Sequence, residues 1–264
     1  RMIPVLVVLS GFMWKSFGAT LYVWSESPDP KPPYTNWTTA ARVIQDAVDA
    51  ASAGDEIVVT NGVYATGGRA VDGAMTNRVA IKKALTLRSV NGPEFTVIEG
   101  YQVPGTTNGP SAIRCVYLAD GASLSGFTLT KGATCTSGDW PKEQSGGGVY
   151  CASTNAVVTN CVLVSNSAWS GGGAFWGTLY NCTVTGNYSV GEQWASGGGG
   201  AYDSTLYNCT VTGNSALGYG GGARRSTLYN CTLTGNSGGL RGGGAFGGTL
   251  YNCTVTGNSA EQGG

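Results

Sequence analysis

From residue 169 to the end of the chain, apolar and polar residues alternate in short runs, and the runs repeat. Thr-Leu-Tyr-Asn-Cys-Thr-(Val/Leu)-Thr-Gly-Asn occurs at 178–187, 205–214, 227–236 and 249–258. Each copy follows a glycine run closed by alanine, at 171–174, 197–201, 220–223 and 242–245. Successive copies are offset by 27, 22 and 22 residues, counted between Cys182, Cys209, Cys231 and Cys253. A fixed period of strand-like content predicts a stacked solenoid, in which each repeat buries its apolar side against its neighbours. Strict alternation cannot place both Leu179 and Cys182 inside, because they are three apart. A bend at Asn181 resolves this, since Asn tolerates the left-handed conformation. Leu179, Cys182, Val184 and Ala174 then point inward, and Tyr180, Thr183 and Thr185 outward. Gly186-Asn187 forms the next corner.

Stacking puts equivalent residues above one another. Asn181, Asn208, Asn230 and Asn252 are expected to form an amide ladder inside the bend. Asn187, Asn214, Asn236 and Asn258 are expected to form a second. Upstream, Ile44, Ala47, Val48 and Ala51 make one helical stripe, with Thr38 or Thr39 as its start and Gly54 as its end. Segment 25–33 is a proline-rich spacer. Segment 55–64 reads as the first strand and turn, and irregular turns follow at 79–100, 112–132 and 146–168. The total is about eight rungs, a stack about 40 Å long at ~4.8 Å per strand.

The entry segment Ile44-Gln-Asp-Ala-Val-Asp-Ala-Ala51, the stretch Gly54-Asp55…Asn61-Gly62-Val63-Tyr64 and the Asn-bend rungs carry a resemblance over 21–264. The chain resembles the right-handed parallel β-helix proteins of the pectin-lyase-like superfamily. Its glycine-rich repeats also look like those of bacterial surface β-helix proteins, including polymorphic outer-membrane proteins. Here Leu-Tyr-Asn stands where those carry Phe-x-x-Asn. The resemblance implies an all-β right-handed parallel β-helix with a short N-terminal capping helix. The expected division is a signal peptide over 1–19 and one domain over 20–264. Within that domain lie a capping segment (20–54), irregular rungs (55–168) and regular repeats (169–264). The apolar run at the start is too short to span a bilayer, and small residues near Gly18 and Ala19 suit a signal peptidase. The closing glycines at 263–264 read as the start of another glycine run, so further rungs, an anchor or a covering partner are expected beyond them.

Composition narrows the chemistry. The chain has no histidine, and Lys+Arg balance Asp+Glu at 15 each, so no basic patch addresses nucleic acid. The superfamily's hydrolases are expected to use clustered aspartates with a histidine, which this chain lacks. Its calcium lyases are expected to need several acids and a base. From residue 171 on the only acids are Glu192, Asp203 and Glu261, and none recurs at one rung position. Arg224-Arg225 shows no acid cluster beside it, and Asp120, Asp139 and Lys131 are loose candidates only. No catalytic residue, metal or cofactor is assigned. Zinc lacks both His and Cys-x-x-Cys.

Cys161, Cys182, Cys209, Cys231 and Cys253 share one rung position and read as an inward stack of small apolar side chains. Cys115, Cys135 and Cys151 lie off that register and are open to pairing in an oxidising compartment. Thr183/Thr185, Thr210/Thr212, Thr232/Thr234 and Thr254/Thr256 form an outward Thr-x-Thr array begun by Thr128/Thr130 and interrupted by Val162/Val164. Such an array is a good strand surface, and it also resembles the faces of β-solenoid antifreeze proteins. Tyr180, Tyr207, Tyr229 and Tyr251 form an aromatic stripe suited to sugar rings or a protein surface. Trp169, Trp176 and Trp194 extend an apolar patch on the loops. The Asn-Cys-Thr matches to the glycosylation sequon are discounted because those asparagines are expected to turn inward. The function expected is an exported, secreted or cell-surface scaffold with adhesin-like binding to glycans or cell-surface components. The alternatives are a polysaccharide lyase or hydrolase with its catalytic residues outside this segment, and an ice-binding solenoid.

Overall fold

The structure, a computed structural model, describes residues 18–192 and 196–264. Residues 1–17 hold nearly all of the expected signal peptide, so that expectation lies outside the described residues, as does Trp194. Three long sheets run the length of the molecule, of nine, eight and eight strands, and a fourth of five strands joins them in the regular half. Strand pairing is parallel, apart from the strand Arg69–Ala70, which runs antiparallel to Thr76–Ile81, and two antiparallel bridges in the loop after residue 100. The longest sheet implies nine rungs, one more than the repeat pattern gives.

One regular rung shows how the sequence makes the coil. Ala174–Phe175 lies in the third sheet and Thr178–Tyr180 in the first. A bend at Asn181, with φ 52, leads to Thr183–Thr185 in the second sheet. The corner Gly186-Asn187 then leads to Tyr188–Ser189 in the fourth. Register is fixed residue by residue, with Leu179 over Leu206 and Leu228, and Val184 over Val211 and Leu233. These side chains are fully buried. Each such leucine contributes about 2 kcal/mol of apolar burial.

The chain begins its sheet earlier than the pattern shows. Thr20–Val23 is the first strand and pairs with Glu56–Val59. The helix spans Ile44–Ala50 and is the only one among the described residues. Its capping residue is Val43, without a side-chain cap, and it ends at Ala51 rather than Gly54. Thr38 and Thr39 do not start it. They lie in a turn, where their carbonyls accept N–H groups of Asp29 and Lys31. The expected apolar stripe is buried, and Gln45 joins it. The Gln45 amide accepts the Ala80 N–H at 2.7 Å, pairing with strand Thr76–Ile81 where that strand has no further rung beside it.

Both asparagine columns form ladders, but the one expected inside the bend lies on the outside. Asn187, Asn214, Asn236 and Asn258 form the interior ladder, and Asn166 extends it by one rung. Side-chain amides link at 2.9–3.0 Å, and each Oδ1 also accepts the backbone N–H of the asparagine before it. Asn181, Asn208, Asn230 and Asn252 are exposed instead. In the left-handed conformation their side chains swing out of the coil, where Asn252 donates to Asn230 at 2.7 Å. The reason for discounting their sequons therefore fails.

Candidate functional site

Where the chain leaves the third sheet it turns through a left-handed residue on each regular rung. Trp176, Asp203 and Arg225 hold this position, with φ 58, 50 and 49. The register Phe175–Tyr202–Arg224 in the strands before them sets them on consecutive rungs. Their N–H groups donate to the carbonyls of Tyr202, Arg224 and Phe246 at 2.9–3.0 Å. An aromatic ring, an acid and a base are thereby stacked outward at one corner. Arg225 donates from Nε to Asp203 Oδ1 at 2.9 Å. The Asp203 charge and hydrogen bond raise the guanidinium pKa. Trp176, Asp203 and Arg225 line an open cleft of about 580 Å³ with Ala152, Ser153 and Thr154. Ser153 and Asn155 donate to Asp120, and these hydrogen bonds lower its carboxyl pKa.

A second, smaller core sits behind this wall. Tyr117, Tyr150, Phe175 and Tyr202 stack along the outer side of the third sheet, with ring centroids 5.7, 5.4 and 5.3 Å apart. Trp176 packs against Phe175 at 5.2 Å and Tyr150 at 6.1 Å, which fixes its ring. Trp140 meets Phe175 edge-on at 6.4 Å. Arg114 lies 4.9 Å over Tyr150 and is fully buried. Its guanidinium donates to Asn77 Oδ1 and to the carbonyls of Lys142 and Ser145, each at 2.7 Å. Burial lowers its pKa to about 10. The loop carrying Trp140 is tied back through Glu143, which accepts the N–H of Ala74 and of Asp139. Those bonds lower the Glu143 pKa.

The repeat columns take the faces expected of them, apart from the asparagines. Tyr180, Tyr207, Tyr229 and Tyr251 stack at 4.8–4.9 Å with interplanar angles of 6–10°. Each ring thus covers its neighbour's face, so the column presents edges and hydroxyls. The Thr pairs lie in register on the second sheet and point outward. The Thr212 hydroxyl donates to the Thr234 carbonyl at 3.0 Å, and the Thr234 and Thr256 hydroxyls lie 3.4 Å apart. Cys182, Cys209 and Cys231 are buried and Cys253 is partly so. All eight cysteines are free, including Cys115, Cys135 and Cys151, which were open to pairing.

The loose candidates are not brought together. Lys131 pairs with Glu99 at 3.1 Å, and Asp139 lies 3.6 Å from Lys142. Arg225 does have an acid beside it, Asp203 from the previous rung, which the linear pattern conceals. Alignment on the alanine closing each glycine run would have shown it, since Trp176, Asp203 and Arg225 each stand two residues after that alanine. Trp169 is partly buried. Among the described residues no three or more His, Cys, Asp or Glu are grouped to hold one metal ion. No helix among them is long and apolar enough to cross a membrane.

No family model matches the chain, and no curated protein matches it. Solved structures do. A crystal structure of pectate lyase Pel9A aligns at TM-score 0.53 and 13% identity, over 84% of this chain and 55% of that one. A rhamnogalacturonan lyase aligns at TM-score 0.49 and 12% identity, over 89% and 62%. A pectin methylesterase in complex with a hexasaccharide aligns at TM-score 0.46 and 14% identity, over 80% and 65%. The chain thus spans less than two thirds of each of these proteins. At 13% identity the likeness to the pectate lyase shows the fold alone, a right-handed parallel β-helix.

Proposed function

We propose that the chain is an exported, surface-associated scaffold that binds polysaccharide in the cleft at Trp176. The observation carrying this reading is one wall that combines a fixed indole with the Asp203–Arg225 pair. An aromatic side chain offers a sugar ring an apolar partner, and oriented polar groups around it bond to hydroxyls. Arg225 bonds to Asp203 and to Tyr202, which leaves part of its five N–H donors for a ligand, and its side chain is 60% exposed. The tyrosine column adds a second contact surface through ring edges and hydroxyls. The test is binding of the purified chain to a panel of neutral and acidic polysaccharides. Trp176→Ala is expected to weaken binding about tenfold or more, equivalent to about 1.4 kcal/mol, with an unchanged circular dichroism spectrum. Tyr207→Ala is expected to weaken it less. Absence of binding by the unaltered chain, or equal binding by Trp176→Ala, would sink the proposal.

The lyase or hydrolase reading would place the catalytic residues outside this segment, since the acids described here are dispersed. Its support is the fold shared with the pectate lyase. Ice binding draws on the Thr array, but several of those hydroxyls are engaged along the column. The chain is therefore expected to give no thermal hysteresis. Hysteresis that Thr210→Tyr abolishes would transfer the function to that face.

A further inference from the structure

The cleft at Trp176 carries its charges in pairs. Asp203 and Arg225 stand on adjacent rungs, because the register that sets Tyr202 beside Arg224 continues into the corner. Nε of Arg225 donates to Asp203 Oδ1 at 2.9 Å, and Tyr202 takes a further guanidinium bond. The acid is the less exposed partner, so a ligand meets the guanidinium first. Asp120 is held at the same cleft by Ser153, and Arg224 lies over the Tyr202 ring at 5.7 Å. Asp120 and Asp203 thus offset Arg224 and Arg225, and these four charges sum to zero.

That balance discriminates between sugars. A uronate carboxylate drawn to Arg225 would reach a guanidinium that Asp203 already neutralises from one hydrogen-bond length away. It would gain little attraction and would meet a like charge at close range, which costs affinity. The ammonium of an amino sugar would meet the outward charge of Arg225 instead. A neutral ring meets neither penalty. It can lie on the fixed Trp176 indole and bond to the remaining Arg225 donors and to the Thr154 hydroxyl. Specificity of this kind comes from an element that works against the wrong ligand.

We propose, resting on the cleft at Trp176 as the polysaccharide site, that it takes neutral sugar units and that Asp203 sets this specificity by masking Arg225 from acidic ones.

The test is isothermal titration of the whole chain with neutral cello-, xylo- and manno-oligosaccharides and with an oligogalacturonate of the same length. The unaltered chain is expected to bind a neutral oligosaccharide at least about tenfold more tightly than the acidic one. Asp203→Asn keeps the size of the side chain and suits the left-handed φ of 50. It should lower that preference by about tenfold, and added salt should restore it by screening the unmasked guanidinium. Adding Arg225→Gln to Asp203→Asn should restore it as well. If Trp176→Ala weakens binding but the unaltered chain holds the oligogalacturonate as tightly, or Asp203→Asn leaves the preference in place, the role of Asp203 is overturned and the cleft reading stands. Binding that survives Trp176→Ala unchanged, or none to any probe by either chain, removes both. Should circular dichroism show Asp203→Asn unfolded, Asp203→Gly, which also accepts that φ, is measured in its place.

Discussion

Asn214→Ala is expected to destabilise the fold by about 4 kcal/mol, enough to threaten folding of a domain with ordinary marginal stability. The Asn214 amide sits in mid-ladder and is fully buried. Its Oδ1 accepts the Asn187 backbone N–H at 3.0 Å and the Asn187 amide at 2.9 Å. Its Nδ2 donates to the Val184 carbonyl at 2.8 Å and to Asn236 at 3.0 Å. Alanine takes this partner from the Asn187 N–H and the Val184 carbonyl and strips one bond from each of the Asn187 and Asn236 amides, which keep the Leu163 carbonyl and the residue-214 N–H, at about 1–3 kcal/mol for each group left unsatisfied. The same change at Asn208, on the outer ladder, removes an exposed contact of 3.3 Å and sets alanine at a left-handed φ of 53, together expected to cost about 1–2 kcal/mol. Urea denaturation of both variants checks the pair. Equal losses would mean that the inner ladder does not carry the stability assigned to it.

The second large effect is steric. Gly199→Ala is expected to cost at least about 3 kcal/mol and to abolish soluble expression if the fold has little reserve. A Cβ at Gly199 would lie 2.2 Å from the Ser215 carbonyl oxygen and 2.6 Å from that of Gly221. Both are backbone atoms of neighbouring rung segments, so relief requires the rungs to part. Gly213→Ala is the matched control. Its Cβ would meet nothing within 4 Å, and its only penalty is the left-handed φ of 61°, about 1 kcal/mol. A thermal melt separates them, and a Gly199→Ala midpoint no lower than that of Gly213→Ala would refute the close-approach argument.

These residues show how far a linear reading reaches. The 22-residue period, the inward Leu179, Cys182 and Val184, and the outward tyrosine and threonine columns follow from alternation plus one bend, so they were legible without coordinates. The outward side of the Asn181 column was not. Both positions sit at a corner in the sequence, and only the backbone twist at Asn181, φ 52, turns that amide outward while Asn187 stays inside. The first strand, Thr20–Val23, was hidden for a related reason. Its partner is Glu56–Val59, and the apolar content of four residues cannot announce a pairing across the intervening helix.

The cleft was the least visible feature. Trp176, Asp203 and Arg225 are chemically unlike, and they stand 27 and 22 residues apart because the first interval carries an insertion. Periodicity finds residues that repeat in kind, whereas this site depends on residues that differ in kind at one repeated position. The sequence alone determined the solenoid, its period and its apolar interior, because those depend on local alternation summed over many copies. Only the tertiary structure decided which amides are buried, which acid meets Arg225 and where an aromatic wall faces solvent. Those outcomes depend on backbone conformation at single corner residues and on the register between rungs, which local pattern does not encode.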